Sequence, residues 1–275
     1  MNERKFNLAV CQLRTELEKQ ATMDKMERMV REAAEGGANV VVLPEMFNCP
    51  YTRKYFIPFA ETADGESVRR MAYVARENSV ILVGGSIAEQ EGDKLYNTCF
   101  VFNEDGEIIA RHRKAHMFDV DIPGKLTFKE SDFFTRGDEV CVFDTQYGRM
   151  GVCICFDTRF PELQRAMARR GAEIILVPGQ FNMTTGPSHW ELTMRARAMD
   201  NEVWVVGAAA ARYEGFAYEC WGHSTVINPF GMVETDCDEK EQILYCPIDL
   251  AEVDRVRREL PTFLTLRDDI YTVTN

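Results

Sequence analysis

Short apolar runs alternate along the chain with stretches of helical periodicity. Residues 6–13 (FNLAVCQL) read as a strand. Met23, Met26, Val30 and Ala33 or Ala34 recur at helical spacing and predict a helix over 23–34. Gly36-Gly37 stops it, and its methionine stripe is the soft packing surface of a core helix rather than a cofactor contact. Residues 40–43 (VVVL) form a continuous, mostly β-branched run, the mark of a strand buried on both faces. A second helix is expected over 67–78 and a third strand over 80–84. Residues 95–103 and 108–113 flank Glu104-Asp105-Gly106, a strong hairpin signal.

Further strands are expected over 140–143, 150–154, 174–177, 203–209, 224–228 and 242–248, with helices over 160–170 and 188–200. Between them, residues 117–135 show little periodicity and are rich in Asp, Pro, Gly and Phe. They read as a long loop, and a loop of that length in a compact domain is usually functional. No linker, repeat or low-complexity tract divides the chain. The pattern predicts one α/β domain over 1–275 with mixed sheets.

Composition narrows the function. The 275 residues are 45% hydrophobic and 28% charged, with 32 basic against 44 acidic side chains and a net charge of -12. That balance argues against nucleic acid or an anionic membrane as a partner. The opening MNERKFNLAVCQLRTELEKQ carries no apolar segment of signal-peptide length, and no run approaches membrane-spanning length. Nine cysteines, an odd number scattered through apolar runs, predict free thiols in a reducing cytoplasm. Cys153 and Cys155 have C-x-C spacing, and His112 and His116 follow a hairpin strand, so neither pair predicts a metal site. No cofactor is expected.

The strongest local signal is Gly151-Val152-Cys153-Ile154-Cys155-Phe156-Asp157-Thr158-Arg159-Phe160-Pro161-Glu162. It reads as a buried strand running into a helix, with Pro161 suited to the first turn and Glu162 to its positive end. A thiol at such an elbow stands out from the sheet beside backbone N–H groups that can receive an oxyanion. Most free cysteines are simply small buried hydrophobes. By the period of two, Cys153 shares a strand face with Cys155, so spacing does not choose between them. A thiol also needs a base. No histidine stands out, whereas Glu45 directly follows the apolar run 40–43, where desolvation would raise its pKa. By itself each of these carboxylates and cations reads as a surface charge or a cap.

Three blocks together resemble the nitrilase superfamily of carbon–nitrogen hydrolases, in the family's order. They are Leu43-Pro44-Glu45-Met46-Phe47, then Arg113-Lys114-Ala115-His116-Met117-Phe118-Asp119, then the block around Cys155. The resemblance covers essentially the whole chain. It puts the family's Glu, Lys and Cys on Glu45, Lys114 and Cys155, selects Cys155 over Cys153, and fits a second glutamate to Glu130. Within the superfamily the chain is most similar to omega-amidases, on residues 119–131, 178–191 and 221–229. Gln180 departs from that pattern where a small residue is common, and Arg53 lies in the loop 48–55.

The resemblance implies a four-layer αββα sandwich, two mixed sheets between helical layers, that forms a homodimer or larger homo-oligomer. It implies hydrolysis of the terminal amide of a small carboxylate-bearing substrate such as 2-oxoglutaramate or 2-oxosuccinamate through a cysteine thioester. Lys114 and the backbone N–H of Phe156 would stabilise the oxyanion. Tyr51, Phe181, Thr184, Thr185 and Arg159 are candidate substrate contacts, although Arg159 also suits a structural clamp on a carboxylate near the elbow. The rival activities are those of a nitrilase, an N-carbamoyl amine amidohydrolase or a deaminated-glutathione amidase. A thiol redox or metal-binding protein using Cys153 and Cys155 is the rival from another class. Gly84-Gly85-Ser86-Ile87-Ala88 only half resembles a serine nucleophile elbow.

Overall fold

The computed structural model describes residues 4–271. The chain runs through β1 (Lys5–Gln12), α1 (Lys19–Glu35), β2 (Val40–Val42), α2 (Arg53–Phe59), α3 (Glu66–Glu77), β3 (Ile81–Val83), β4 (Ile87–Glu91), β5 (Lys94–Phe102) and β6 (Ile108–Arg113). A hairpin of β7 (Asp119–Ile122) and β8 (Leu126–Lys129) follows. After it come β9 (Cys141–Asp144), β10 (Arg149–Val152), α4 (Pro161–Arg169), β11 (Ile174–Gly179), α5 (Gly186–Asn201), β12 (Trp204–Ala209), β13 (Thr225–Ile227), β14 (Val233–Asp236), β15 (Gln242–Asp249) and α6 (Ala251–Glu259).

Two mixed sheets result. The first is ordered β15-β1-β2-β3-β5-β4, with β6 paired to β5; the second is ordered β14-β13-β12-β11-β10-β9. At the centre of each lies a parallel triple, β1-β2-β3 and β10-β11-β12. Register explains the apolar runs. Val10, Val42 and Val83 stand side by side and, with Leu8, Val40 and Ile81, join Met150, Val152, Leu176 and Val206 of the other sheet in one core. The alternate residues Ala9, Val41 and Leu82 pack against Met23, Met26 and Val30 of α1 and Met71 of α3. Strands buried on both faces have no polar alternation to display.

On the far side, α4 and α5 supply Met167, Trp190 and Met194 to the second sheet's outer face. Four layers follow: α1 and α3, sheet, sheet, α4 and α5. Among the described residues no helix is long and apolar enough to cross a membrane.

Three expectations are corrected. Residues 117–135 are not an open loop: they hold the β7–β8 hairpin and a 3₁₀ turn over Glu130–Asp132. The strand predicted over 150–154 ends at Val152, and a 3₁₀ turn over Cys155–Arg159 separates it from α4. The elements α2, β4, β14 and α6 had no place in the sequence reading. Their signals are weak: α2 contains Pro58, β14 alternates polar residues at a sheet edge, and α6 buries only Val253 and Val256.

Candidate active site

Glu45 lies just past β2, Lys114 just past β6, Cys155 just past β10 and Gln180 just past β11. Strand ends from both sheets thus converge at one end of the sandwich, and the β7–β8 hairpin delivers Glu130 to the same place. All four of Glu45, Lys114, Glu130 and Gln180 are buried, the first three with no exposed surface.

Cys155 adopts the left-handed backbone conformation, φ 46°, which is costly for a side chain bearing Cβ and persists only where the surroundings impose it. Here Asp157 imposes it. Its N–H donates to the Ile154 carbonyl at 3.0 Å, and its Oδ2 accepts the Ile154 N–H at 3.0 Å. The turn removes Cys155 from the face of Cys153. The Cys153 sulfur is buried in the core and accepts a hydrogen bond from Gln164 Nε2 of α4 at 3.1 Å. The Cys155 thiol instead lies beside the Glu45 carboxylate and lines a cleft. Geometry therefore separates two thiols that spacing could not.

Asp157 also binds the two segments together. Its Oδ1 accepts the N–H groups of Ala115 (3.1 Å) and His116 (2.8 Å) and contacts His116 Nδ1 at 2.8 Å, while Oδ2 contacts His112 Nε2 at 3.0 Å. Burial opposes this carboxylate's charge, but the two imidazoles and the backbone donors overcome it and hold the pKa far below the usual range. Lys114 lies between those histidines in sequence, so its backbone is fixed relative to the cysteine turn.

Lys114 Nζ donates to Glu45 Oε1 at 2.8 Å and lies 2.9 Å from Glu130 Oε2 and 3.0 Å from Glu130 Oε1. Asn97 Nδ2 bridges the same carboxylates, at 2.9 Å and 3.3 Å. Glu130 Oε2 accepts the Phe118 N–H at 2.6 Å, and the Tyr51 hydroxyl donates to Oε1 at 3.2 Å. Glu45 Oε2 accepts the Gln180 N–H at 3.0 Å. Desolvation raises the Glu45 pKa, with Lys114 pulling the other way. Desolvation also works against the Lys114 ammonium, but the charges of Glu130 and Glu45 outweigh it and hold the pKa well above the ordinary lysine value. Burial, then the Glu45 charge, pushes the Cys155 thiol well up. Cys155 thus rests as a thiol rather than a preformed thiolate, and attack requires a base beside it.

The cleft at Cys155 is tight, with a volume of about 10 Å³, and is walled by Phe156, Arg159, Phe181, Thr185 and Tyr218 among others. That is room for about one water molecule as the side chains stand. Arg159 stacks over Phe181, 4.6 Å from the ring centre, and its Nη1 donates to His189 Nδ1 at 2.9 Å. The clamp reading of Arg159 is corrected. Asp157, the carboxylate at the elbow, is held by His112 and His116, and Arg159 has no carboxylate partner among the described residues. Burial lowers its pKa.

Tyr51 and Thr184 are not among the residues that line the cleft. Tyr51 is buried, with its hydroxyl on Glu130 and its ring 4.8 Å from that of Tyr218. Thr184 is exposed; Asn182 Oδ1 accepts its N–H at 2.9 Å. Ser86, in the half-elbow motif, is fully buried and accepts the Met46 N–H at 2.8 Å. The sequence reading missed Asn97, Asp157, Asn182 and Tyr218. An asparagine inside the apolar run 95–103 was the one visible signal.

A thiol in a turn, a buried carboxylate on it and an ammonium between two glutamates define a site for acyl transfer by a cysteine. The comparisons agree in class. Residues 7–258 match the carbon-nitrogen hydrolase family model, and the chain belongs to that family. Among curated proteins it is similar to omega-amidase NIT2 of Mus musculus, 48% identical over 98% of this chain and 97% of that protein, and of Homo sapiens, 47% identical over the same shares. Among solved structures it resembles Saccharomyces cerevisiae Nit3, a member of branch 10 of the nitrilase superfamily, at 36% identity and TM-score 0.88, covering 96% of each chain. It also resembles the C. elegans NitFhit protein, at 33% identity and TM-score 0.92, covering 99% of this chain and 68% of that one.

Proposed function

We propose that the protein is an omega-amidase, which hydrolyses the terminal amide of a small 2-oxo dicarboxylate monoamide through a Cys155 thioester. The observation that carries the reading is the shared cleft. A thiol with its base beside it faces the same small space as Arg159, a half-buried cation with no carboxylate partner among the described residues. Near-full-length identity to omega-amidases supports it.

In this reading Glu45 takes the thiol proton as the sulfur bonds to the amide carbon. The Lys114 ammonium and the Phe156 N–H receive the oxyanion. Glu45 then passes the proton to nitrogen, the C–N bond breaks and ammonia leaves. Glu45 next deprotonates a water that attacks the thioester carbon. The acid departs, and Cys155 regains its proton. Glu130 keeps Lys114 charged throughout. Arg159, with Thr185 and Phe181 beside it, holds the substrate's carboxylate.

All nine cysteines are unpaired, in keeping with a reducing cytoplasm. A homodimer belongs to the same reading. Leu192 and Met199 on α5 are exposed, and Met199 packs at Gly231, between the exposed Phe230 and Met232.

Ammonia release from 2-oxoglutaramate, a nitrile, an N-carbamoyl amine and deaminated glutathione tests the assignment. The first should be turned over best, and a far better rate on any other would overturn it. Arg159→Met should raise KM for 2-oxoglutaramate by roughly tenfold to a hundredfold, the worth of one charge-assisted contact. An uncharged amide should be affected much less. Equal losses on both would remove Arg159 from carboxylate binding.

A further inference from the structure

Every polar atom of Gln180 is engaged: two of its four bonds run to Glu45 and two to the segment that holds Tyr218 and Cys220. The backbone N–H donates to Glu45 Oε2 at 3.0 Å and also faces the Cys155 sulfur. The side-chain Nε2 donates to the Glu45 backbone carbonyl. The side-chain Oε1 accepts the Cys220 thiol at 3.1 Å, and the backbone carbonyl accepts the Tyr218 hydroxyl at 2.6 Å. Gln180 thereby ties the end of β2, in one sheet, to the end of β11, in the other. A side chain that merely filled the space would need neither of the two side-chain bonds.

The partners also fix which way the amide points. Turned over, it would set its oxygen against the Glu45 carbonyl and its NH₂ against a thiol donor. Cys220 is a reliable donor because burial pushes its pKa up to about 12, so it keeps its proton at neutral pH.

We infer that Gln180 is a positioning residue for the base Glu45, and that the Cys220 thiol locks Gln180 in the orientation that does this. The inference rests on Glu45 acting as the base. Holding the Glu45 backbone from the side chain keeps Oε2 in line with the Gln180 N–H, which favours the ionised carboxylate, and in reach of the Cys155 proton.

The test is the pH profile of amide hydrolysis by the full-length enzyme on 2-oxoglutaramate, with circular dichroism melts to set the folded fraction. Gln180→Ala should lower kcat about tenfold, as small misplacements of a reacting group do, with little change in KM. The acid limb of kcat/KM should move to higher pH, because Glu45 loses an aligned donor. Cys220→Ala should act in the same direction more weakly, and Cys220→Ser, which retains a donor, should restore the wild-type profile. An acid limb that stays in place in Gln180→Ala, whatever happens to the rate per folded molecule, would overturn the inference. Glu45→Gln, run alongside, separates the two levels. If it is active, the base assignment itself fails; if it is inactive while the Gln180→Ala limb is unmoved, only the role of Gln180 fails.

Discussion

Replacing Cys155 by alanine is expected to abolish amide hydrolysis, a loss of roughly 10⁴-fold or more, since without the nucleophile only binding and oxyanion stabilisation remain. Cys153→Ala is the matched control. Cys153 is fully buried and held by Gln164 of α4. Its replacement should cost about 1 kcal/mol of stability, an ordinary core substitution, and leave turnover per folded molecule near wild type. Ammonia release normalised to folded protein measures both. The reverse ranking would mean that the turn at Cys155, with its φ of 46°, does not present the reacting sulfur.

Lys114→Met should be destabilising as well as inactivating. The ammonium is fully buried between Glu45 at 2.8 Å and Glu130 at 2.9 Å. Removing one partner from a buried ionic group leaves uncompensated charge, which costs about 3–5 kcal/mol. The pH dependence has a definite sign. The Glu45 pKa is already raised by burial, with the Lys114 charge opposing the rise; without that charge it rises further. A carboxylate whose folded pKa exceeds its unfolded value stabilises the fold in acid, and that stability is lost as pH rises through the folded pKa. The deficit of Lys114→Met relative to wild type should therefore be smallest near the unfolded glutamate pKa and grow toward neutral pH. Urea midpoints across that range read it directly. A deficit independent of pH would mean that Lys114 does not neutralise these carboxylates.

The elements that define the sandwich were legible because their residues are constrained on both faces. Residues 40–43 could be read as a central strand since Val40 and Val42 meet one layer and Val41 another. The strands β14 and β7 were not legible, because each is only four residues long, alternates exposed acidic residues with half-buried ones and carries no apolar run. The site was legible in part. Block order brought Glu45, Lys114, Glu130 and Cys155 forward, and the fold brings these residues together. Their supports were hidden for a physical reason. Asp157 acts by accepting from segments more than forty positions away in sequence, and Asn97 and Tyr218 by donating to residues 52 and 38 positions away. The Tyr51 hydroxyl, expected as a substrate contact, donates to Glu130. The loop 117–135 looked structureless because its hairpin pairs only with itself.

The central claim is that the Cys155 sulfur carries the acyl group. Intact-protein and peptide mass spectrometry after rapid quench with 2-oxoglutaramate tests it most directly, with a Glu45 variant slowing thioester hydrolysis so that the adduct accumulates. The account predicts a mass increase equal to the substrate less ammonia, located on the peptide at Cys155. An adduct on Cys153, or no adduct in an enzyme that still releases ammonia, would contradict it.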